Sequence, residues 1–590
     1  MTHAQSGTSA SAVSQDSLLA VLKRHEVPGA SILTFSAKGV DRTFYLGSAD
    51  LSSKRPVTSQ TRFCVGSIAK SFLAAAVMKA HAEGGLDIYQ PLGNLLPNLE
   101  YSNEWEASSP ITIAHLLEHS SGFDEAHFDL EARTNSQTPL AETITLSASS
   151  LHTQWEPGTA NVYNNLGAIV AAHLLESATG SLLENYVDRQ IFTPLGLSSA
   201  TYRPGGEQFA TGYQGRGEAV PFPDIAQWPV GALSMTGVDL ARFVRMLLQD
   251  GLLDGKQVLQ SSDVESMQRP ESYLGASYGL AFGYGKGLIH TLEKNQHFIG
   301  HTGQYGGFIS EFGYSEELDF GYLILLNSRD GGKAIREIKK RIIPEREDAT
   351  ATPAAYVPST DYMDSLTGSY QLTGSSLGLL YPFLRLADIQ QLHQEDEQLV
   401  QRSMLGGDRR LEFVSKHVLR EVDQPIGTGL VLAEAEQQIL RSDGTDYHRI
   451  GTLSAYLQFW LAVVCTVSFA LALIVVPVQL LVARLRRSPT VRPLLVAYLP
   501  FGILALAVGQ WLLLYDTTVL YSAGAVLYFI LSYLFGLAVL ASLYVTARSL
   551  TGPRLGTLIR SELLVLTLVS TTIFGYLLYW GLIGLSLWGY

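Results

Sequence analysis

Cysteine is nearly absent: in 590 residues there are two, Cys64 and Cys465. No disulfide framework or cysteine metal site can be built from one thiol in a mixed segment and one inside an apolar run, so stability must come from packing. Basic charge is scarce as well. A formal net charge of −13 and a pI near 5.6 leave no surface suited to a phosphate backbone, which excludes nucleic acid as a partner. The amino end lacks the basic start and apolar core of a signal peptide. Residues 1–16 therefore read as a disordered leader, or as what remains where a leader was trimmed. Apolar residues, by contrast, are abundant. At 47% hydrophobic and mean hydropathy +0.15, the chain is too long for one domain and too apolar to lie wholly in water.

The apolar excess is concentrated after residue 450, where stretches at 453–482, 493–515, 519–547 and 563–588 each exceed the ~20 residues that a spanning helix needs. They contain no Asp, Glu, Lys or Arg, so they lack the marks of an ion path and read as an anchor or docking surface. Arg484, Arg486, Arg487 and Arg492 separate the first pair and Arg548, Arg554 and Arg560 the last pair, while the middle connection offers Asp516. The positive-inside bias places both arginine loops in the cytoplasm and everything before residue 453 outside, in a plasma or inner membrane. Tyr456, Trp460, Trp511, Tyr515, Tyr521 and Trp588 would form the outer aromatic belt. An exported amino-terminal domain without a leader is at odds with this orientation.

The region 17–343 reads as one α/β unit. Residues 29–35 and 43–47 have the β-branched and aromatic content of a hairpin, residues 67–83, 166–177 and 238–248 that of helices, and 307–314 and 320–326 that of adjacent antiparallel strands. Residues 344–360 suit a linker, and 361–450 a small β-rich accessory module with no chemistry of its own.

Three segments carry chemistry. Ser67 and Lys70 stand three residues apart in FCVGSIAK, which puts both on one helix face where a neutral amine can take the serine proton. A serine at a helix start also aims its own backbone N–H at a developing oxyanion. Tyr163 and Asn165 follow in YNN, and His301, Thr302 and Gly303 in HTG. Each segment alone has a bland reading: a cap and a surface lysine, a buried aromatic, a turn.

In that order, however, they match SxxK, YxN and [KH]TG, and the chain resembles the serine hydrolases related to class C β-lactamases and D-alanyl-D-alanine carboxypeptidases. Flanking segments carry the resemblance too: Val27-Pro28-Gly29-Ala30, the run from Ile111 to Gly122, Trp155-Glu156-Pro157-Gly158, Gly231 to Thr236, and Gly306-Gly307-Phe308. It spans residues 17–343 and implies an α/β fold with an antiparallel sheet flanked by helices. It also implies that Ser67 is the nucleophile, Lys70 its base and Tyr163 the proton relay. Asn165 and the residues His301, Thr302 and Gly303 would bind substrate, and the Gln304 backbone N–H would be the second oxyanion donor. No metal or cofactor is implied. His301 in place of lysine makes the positive charge there conditional on pH, which counts against β-lactamase activity. A hydrolase domain followed by spanning helices further resembles membrane-anchored D-specific peptidases that remove caps from nonribosomal peptide prodrugs. The expected partners are thus a peptide or small amide and membrane lipid, with the oligomeric state open.

Competing motifs and classes are visible in the same residues. His115, Glu118 and His119 match the HxxEH of inverted zinc proteases, although Ser120-Ser121-Gly122 breaks the helix at once. A D-Ala-D-Ala carboxypeptidase, an esterase, or a non-catalytic β-lactam sensor acylated at Ser67 would use the same serine.

Overall fold

The computed structural model describes the whole chain except residues 1–12, 124–134, 225, 273–282, 295, 346–355, 374–380, 396–397, 423–430, 435–438, 443–444, 487–490, 516–522, 552–555, 581 and 584–590. Residues 1–12 of the leader, most of the linker, Asp516, Tyr521, Arg487, Arg554 and Trp588 therefore lie outside the described residues, whereas the leader's last two residues, Gln15 and Asp16, are not disordered but open a helix capped by Ser14.

A seven-stranded antiparallel sheet organises the amino-terminal unit. Its order is Ile289–Glu293, Gln296–Tyr305, Phe308–Ser315, Phe320–Leu326, Gly29–Ser36, Gly39–Asp50 and Arg55–Pro56. The first and last parts of the unit thus meet in the middle, where Ala30 pairs with Leu326 and Phe35 with Gly321. One face is covered by the helices Gln15–Arg24 and Gly332–Ile342, whose Leu18, Val21, Leu22, Ile335 and Ile338 pack on Ile32, Tyr322 and Ile324. The other face buries a larger helical layer, centred on the helix Ala69–Ala82. That helix is submerged on every side: Phe72 stacks on Phe243 with ring centroids 3.8 Å apart, and a series of alanines lets its neighbours approach closely. This is the α/β arrangement with an antiparallel sheet that the resemblance implies.

Two local expectations change. The helix expected from residue 67 opens with a 3-10 turn, Gly66–Ile68, because Gly66 takes a left-handed φ of +57° that turns the chain sharply out of the strand Phe63–Cys64. And His301-Thr302-Gly303, expected at the entrance of the strands 307–314 and 320–326, lies inside a strand of its own, Gln296–Tyr305, held in register by pairs such as His301 with Phe312 and Gly303 with Ser310.

The β-rich region closes into an eight-stranded antiparallel barrel running from Gly368–Leu372 to Thr445–Ile450, with the last strand pairing back on the first. Eight strands leave room for side chains alone or for one small ligand. Here Tyr370, Leu392, Leu399, Leu411, Phe413, Leu419, Leu440 and Tyr447 fill the inside, together with Met363 and Leu366 from the helix Thr360–Leu366.

Four helices follow, Thr452–Arg486, Val491–Tyr515, Ala523–Thr551 and Thr557–Tyr579, each long and apolar enough to cross a membrane. The fourth begins six residues before the expected apolar stretch and so includes Arg560 and Glu562, contrary to the expectation of charge-free spans. Helix formation does not stop at a charge that has a partner: the Tyr498 hydroxyl donates to Glu562 Oε1 at 2.5 Å. The barrel rests on this bundle. Gln371 Nε2 donates to Gln458 Oε1 (2.9 Å), and the Arg385 guanidinium lies 5.2 Å from the Trp580 ring, so the start of the first helix and the end of the fourth share one side.

Candidate functional site

The serine turn is wedged against the strand that carries the HTG segment. The strand Ile289–Glu293 pairs with its neighbour only as far as Gly300, and beyond that point the edge of residues 301–305 faces the turn instead. Glycines on both sides permit the approach. A Cβ on Gly303 would lie 1.9 Å from the Val65 carbonyl oxygen and 3.0 Å from Ser67 N, and one on Gly66 would lie 2.5 Å from Gln304 N. The backbone amides of Ser67 and Gln304 therefore flank one contact. The Thr302 and Gln304 side chains alternate to the exposed side of the strand, while His301 and Gly303 are buried.

Lys70 sits one turn along, 2% exposed, while Ser67 remains partly open. Its Nζ lies 3.2 Å from Ser67 Oγ, donates to Asn165 Oδ1 at 2.7 Å, and stands 4.8 Å from the centre of the Tyr163 ring. Asn165 can reach it because it is the first residue of the helix Asn165–Thr179; the cap is the preceding Asn164, whose Oδ1 accepts from Gly167 N. Tyr163 is thus delivered by an extended segment running into a helix start. Ser67, Lys70, Tyr163, Asn165, His301, Gly303 and Gln304, spread over 238 positions of sequence, converge.

His301 is 2% exposed and held at both nitrogens. The Thr302 carbonyl, 2.5 Å away, can only accept, so Nδ1 carries the proton and Nε2 accepts from the Tyr284 hydroxyl at 2.9 Å. Burial, and then the nearby Lys70, lower its pKa to about 3. The charge expected to be conditional is therefore absent across the ordinary pH range. The same burial lifts the Tyr284 phenol well above its usual range.

The HxxEH segment forms no metal site. The helix Ile113–Leu117 ends before Glu118, His115 Nδ1 turns back to accept from Thr112 N, and the described residues contain no group of three or more ligands that could hold an ion. Glu118 instead meets Lys286 at 2.9 Å, both with fully buried side chains, and its other oxygen accepts from Glu271 N, Ser272 N and Ser272 Oγ. Burial would drag Lys286 down, but Glu118 and Glu271 together hold it above the ordinary lysine range. Two residues before Lys286 stands Tyr284, so this buried pair secures the segment that contacts His301. Tyr284 and Lys286 carry no short motif, and His119 stands in one that points elsewhere, an HxxEH whose helix stops too soon for zinc.

One contact comes from outside the unit. Asn161 N donates to Asp446 Oδ2 of the barrel at 2.9 Å, two residues ahead of Tyr163, and Asp446 is itself paired across strands with Arg441 at 3.4 Å.

The family described as Beta-lactamase matches residues 16–343, more than half of the chain, and the chain belongs to that family, whose members are in general serine hydrolases. Among its relatives, penicillin-binding protein 4 of Amycolatopsis lactamdurans is 26% identical over 381 residues, covering 61% of this chain and 98% of its own length. The unguisins hydrolase of Aspergillus violaceofuscus is 28% identical over 247 residues, 38% of this chain and 43% of that protein. The crystal structure of SurE is alike in fold, with a TM-score of 0.50 at 20% identity over 74% of this chain and 99% of that one.

Proposed function

We propose that the protein is a membrane-anchored serine hydrolase that cleaves amide bonds through an acyl-enzyme, with its catalytic unit on the extracytoplasmic side and peptides containing D-amino acids as substrates. The observation that carries the reading is Lys70 Nζ, 3.2 Å from Ser67 Oγ in a pocket closed by Tyr163 and Asn165. Ser67 Oγ attacks the carbonyl carbon as its proton passes to a neutral Lys70 amine, and the backbone amides of Ser67 and Gln304 receive the negative charge on oxygen. Tyr163 hands a proton to the departing nitrogen. Water then attacks the ester, with the same groups working in reverse. Asn165 and the exposed edge after His301 hold the substrate backbone. A neutral His301 offers no fixed cation for a substrate carboxylate, which favours cleavage within a peptide over β-lactam or carboxy-terminal recognition. The preference for D-residues rests on the family resemblance, and the sidedness on the arginine loops between the apolar helices.

Ser67→Ala should abolish labelling by a fluorescent β-lactam or fluorophosphonate in the full chain without shifting its thermal transition; labelling that persists would defeat the assignment. Mass spectrometry of products from matched D- and L-residue peptides tests the substrate class, and equal turnover of both would remove the D-preference while leaving the hydrolase.

A further inference from the structure

His119 lies inside the site without belonging to any motif of it, and its conformation costs free energy. It holds a left-handed φ of +56°, uncommon for a residue with a Cβ, and is 2% exposed. Its Nδ1 accepts from the backbone N–H of Asn164 at 3.1 Å, which assigns the imidazole proton to Nε2; that nitrogen is buried and has no hydrogen-bond acceptor among the described residues. A strained backbone and an unmet buried donor in one residue mark a position kept for what else it does.

What else it does is hold Tyr163 from three directions. The His119 carbonyl accepts from Val162 N at 2.8 Å, its Nδ1 accepts from Asn164 N, and its ring lies over the Tyr163 ring with centroids 4.3 Å apart and planes at 32°. The residues on both sides of the phenol are therefore tied to a single residue, whose ring also contacts the phenol ring that Lys70 Nζ approaches to 4.8 Å. Tyr284 meets the same imidazole edge to face at 4.6 Å, so His119 also spans the gap to the partner of His301. Burial, with Lys70 and His301 nearby, keeps the ring uncharged, as an acceptor of an amide N–H must be.

We propose that His119 is a positioning residue that acts through Tyr163, setting the place of the phenolic oxygen that carries protons during acylation and deacylation. The proposal rests on the acyl-enzyme reading above, and the test separates the two. Turnover of a chromogenic D-peptide amide is measured for the full chain in detergent and for His119→Phe, which keeps a ring but loses the acceptor. It is also measured for His119→Asn, whose side chain tolerates the left-handed backbone, for Tyr163→Phe, and for His119→Phe combined with Tyr163→Phe. A phenol displaced by about 1 Å predicts a kcat loss of about 100-fold in His119→Phe with KM changed less than about threefold. In the Tyr163→Phe background the same change should cost less than about threefold, because the hydroxyl it serves is already gone. Multiplicative losses, or a kcat within about threefold of wild type in both His119 variants, would overturn the proposal. If His119→Phe does not fold, His119→Asn takes its place in the cycle. If wild-type turnover is not abolished by Ser67→Ala, the acyl-enzyme reading itself fails and this proposal with it; if it is abolished and the losses multiply, only the role of His119 is lost.

Discussion

Removing the ammonium of Lys286 should destabilise the amino-terminal unit by several kcal/mol. The Nζ atom bonds Glu118 Oε1 at 2.9 Å, Glu271 Oε2 at 2.9 Å and the Ser266 carbonyl at 3.2 Å, and the Lys286 and Glu118 side chains are both 0% exposed. Lys286→Met matches the volume but strands a carboxylate away from water, for which breaking a buried pair costs about 3–5 kcal/mol. The unit that unfolds has about 330 residues, so its unfolding entropy at the midpoint is about 0.7 kcal/mol/K, and about 4 kcal/mol corresponds to a drop of about 6 °C in Tm. Part of the loss should return in Glu118→Gln with Lys286→Met, which removes the stranded charge and keeps an acceptor for the Glu271 and Ser272 amides. The assay is the fraction of protein still labelled at Ser67 by fluorophosphonate after brief heating across a temperature ladder, alongside calorimetry of the same samples. A midpoint lowered by less than about 1 °C, or a double variant no more stable than the single, would refute the claim that this pair is sealed from solvent.

Two other outcomes follow from the site. His119 and His301 are neutral when folded, chiefly through burial, whereas in the unfolded chain each protonates near 6.5. The unfolded state therefore binds more protons below that pH. Their contribution to stability is complete above about 6.5 and is lost as pH falls below it, for His301 down to about 3, at about 1.4 kcal/mol per pH unit for each ring; a urea midpoint at pH 5 that matches or exceeds the one at pH 7 would contradict it. Gly303→Ala drives a Cβ to 1.9 Å from the Val65 oxygen and must part the strand from the serine turn. Loss of one oxyanion donor costs about 100- to 1000-fold in rate, so acylation of Ser67 should slow by that much. Gly39→Ala, with nothing within 4 Å, should label at the wild-type rate.

The parts of the site readable before any coordinates were those written in contiguous residues. Ser67 and Lys70 share a helical turn, Tyr163 and Asn165 straddle a helix start, and the HTG triplet keeps its spacing, so local order was enough. His119, Tyr284 and Lys286 escaped because each acts through a partner more than fifteen residues away: Tyr163, His301 and Glu118 respectively. The fate of HxxEH shows the same limit, since whether Glu118 faces a metal or an ammonium depends on residue 286. Alternating apolar residues exposed the strands of the β-rich region but not their closure, which is a matter of register between Gly368–Leu372 and Thr445–Ile450. Local hydropathy placed the fourth helix too late, because it penalises Arg560 and Glu562 without knowledge of the Tyr498 hydroxyl across from them.

The bond from Asn161 to Asp446 fixes a length. From Asp446 only six residues of chain lead to Thr452, where the first apolar helix starts, and a fully extended stretch of that size reaches roughly 20 Å. The phenol cannot swing out into bulk solution as it could on a long stalk. Tyr163 is tethered instead within that reach of the first apolar helix, so whatever surrounds the start of that helix also lies close to the site.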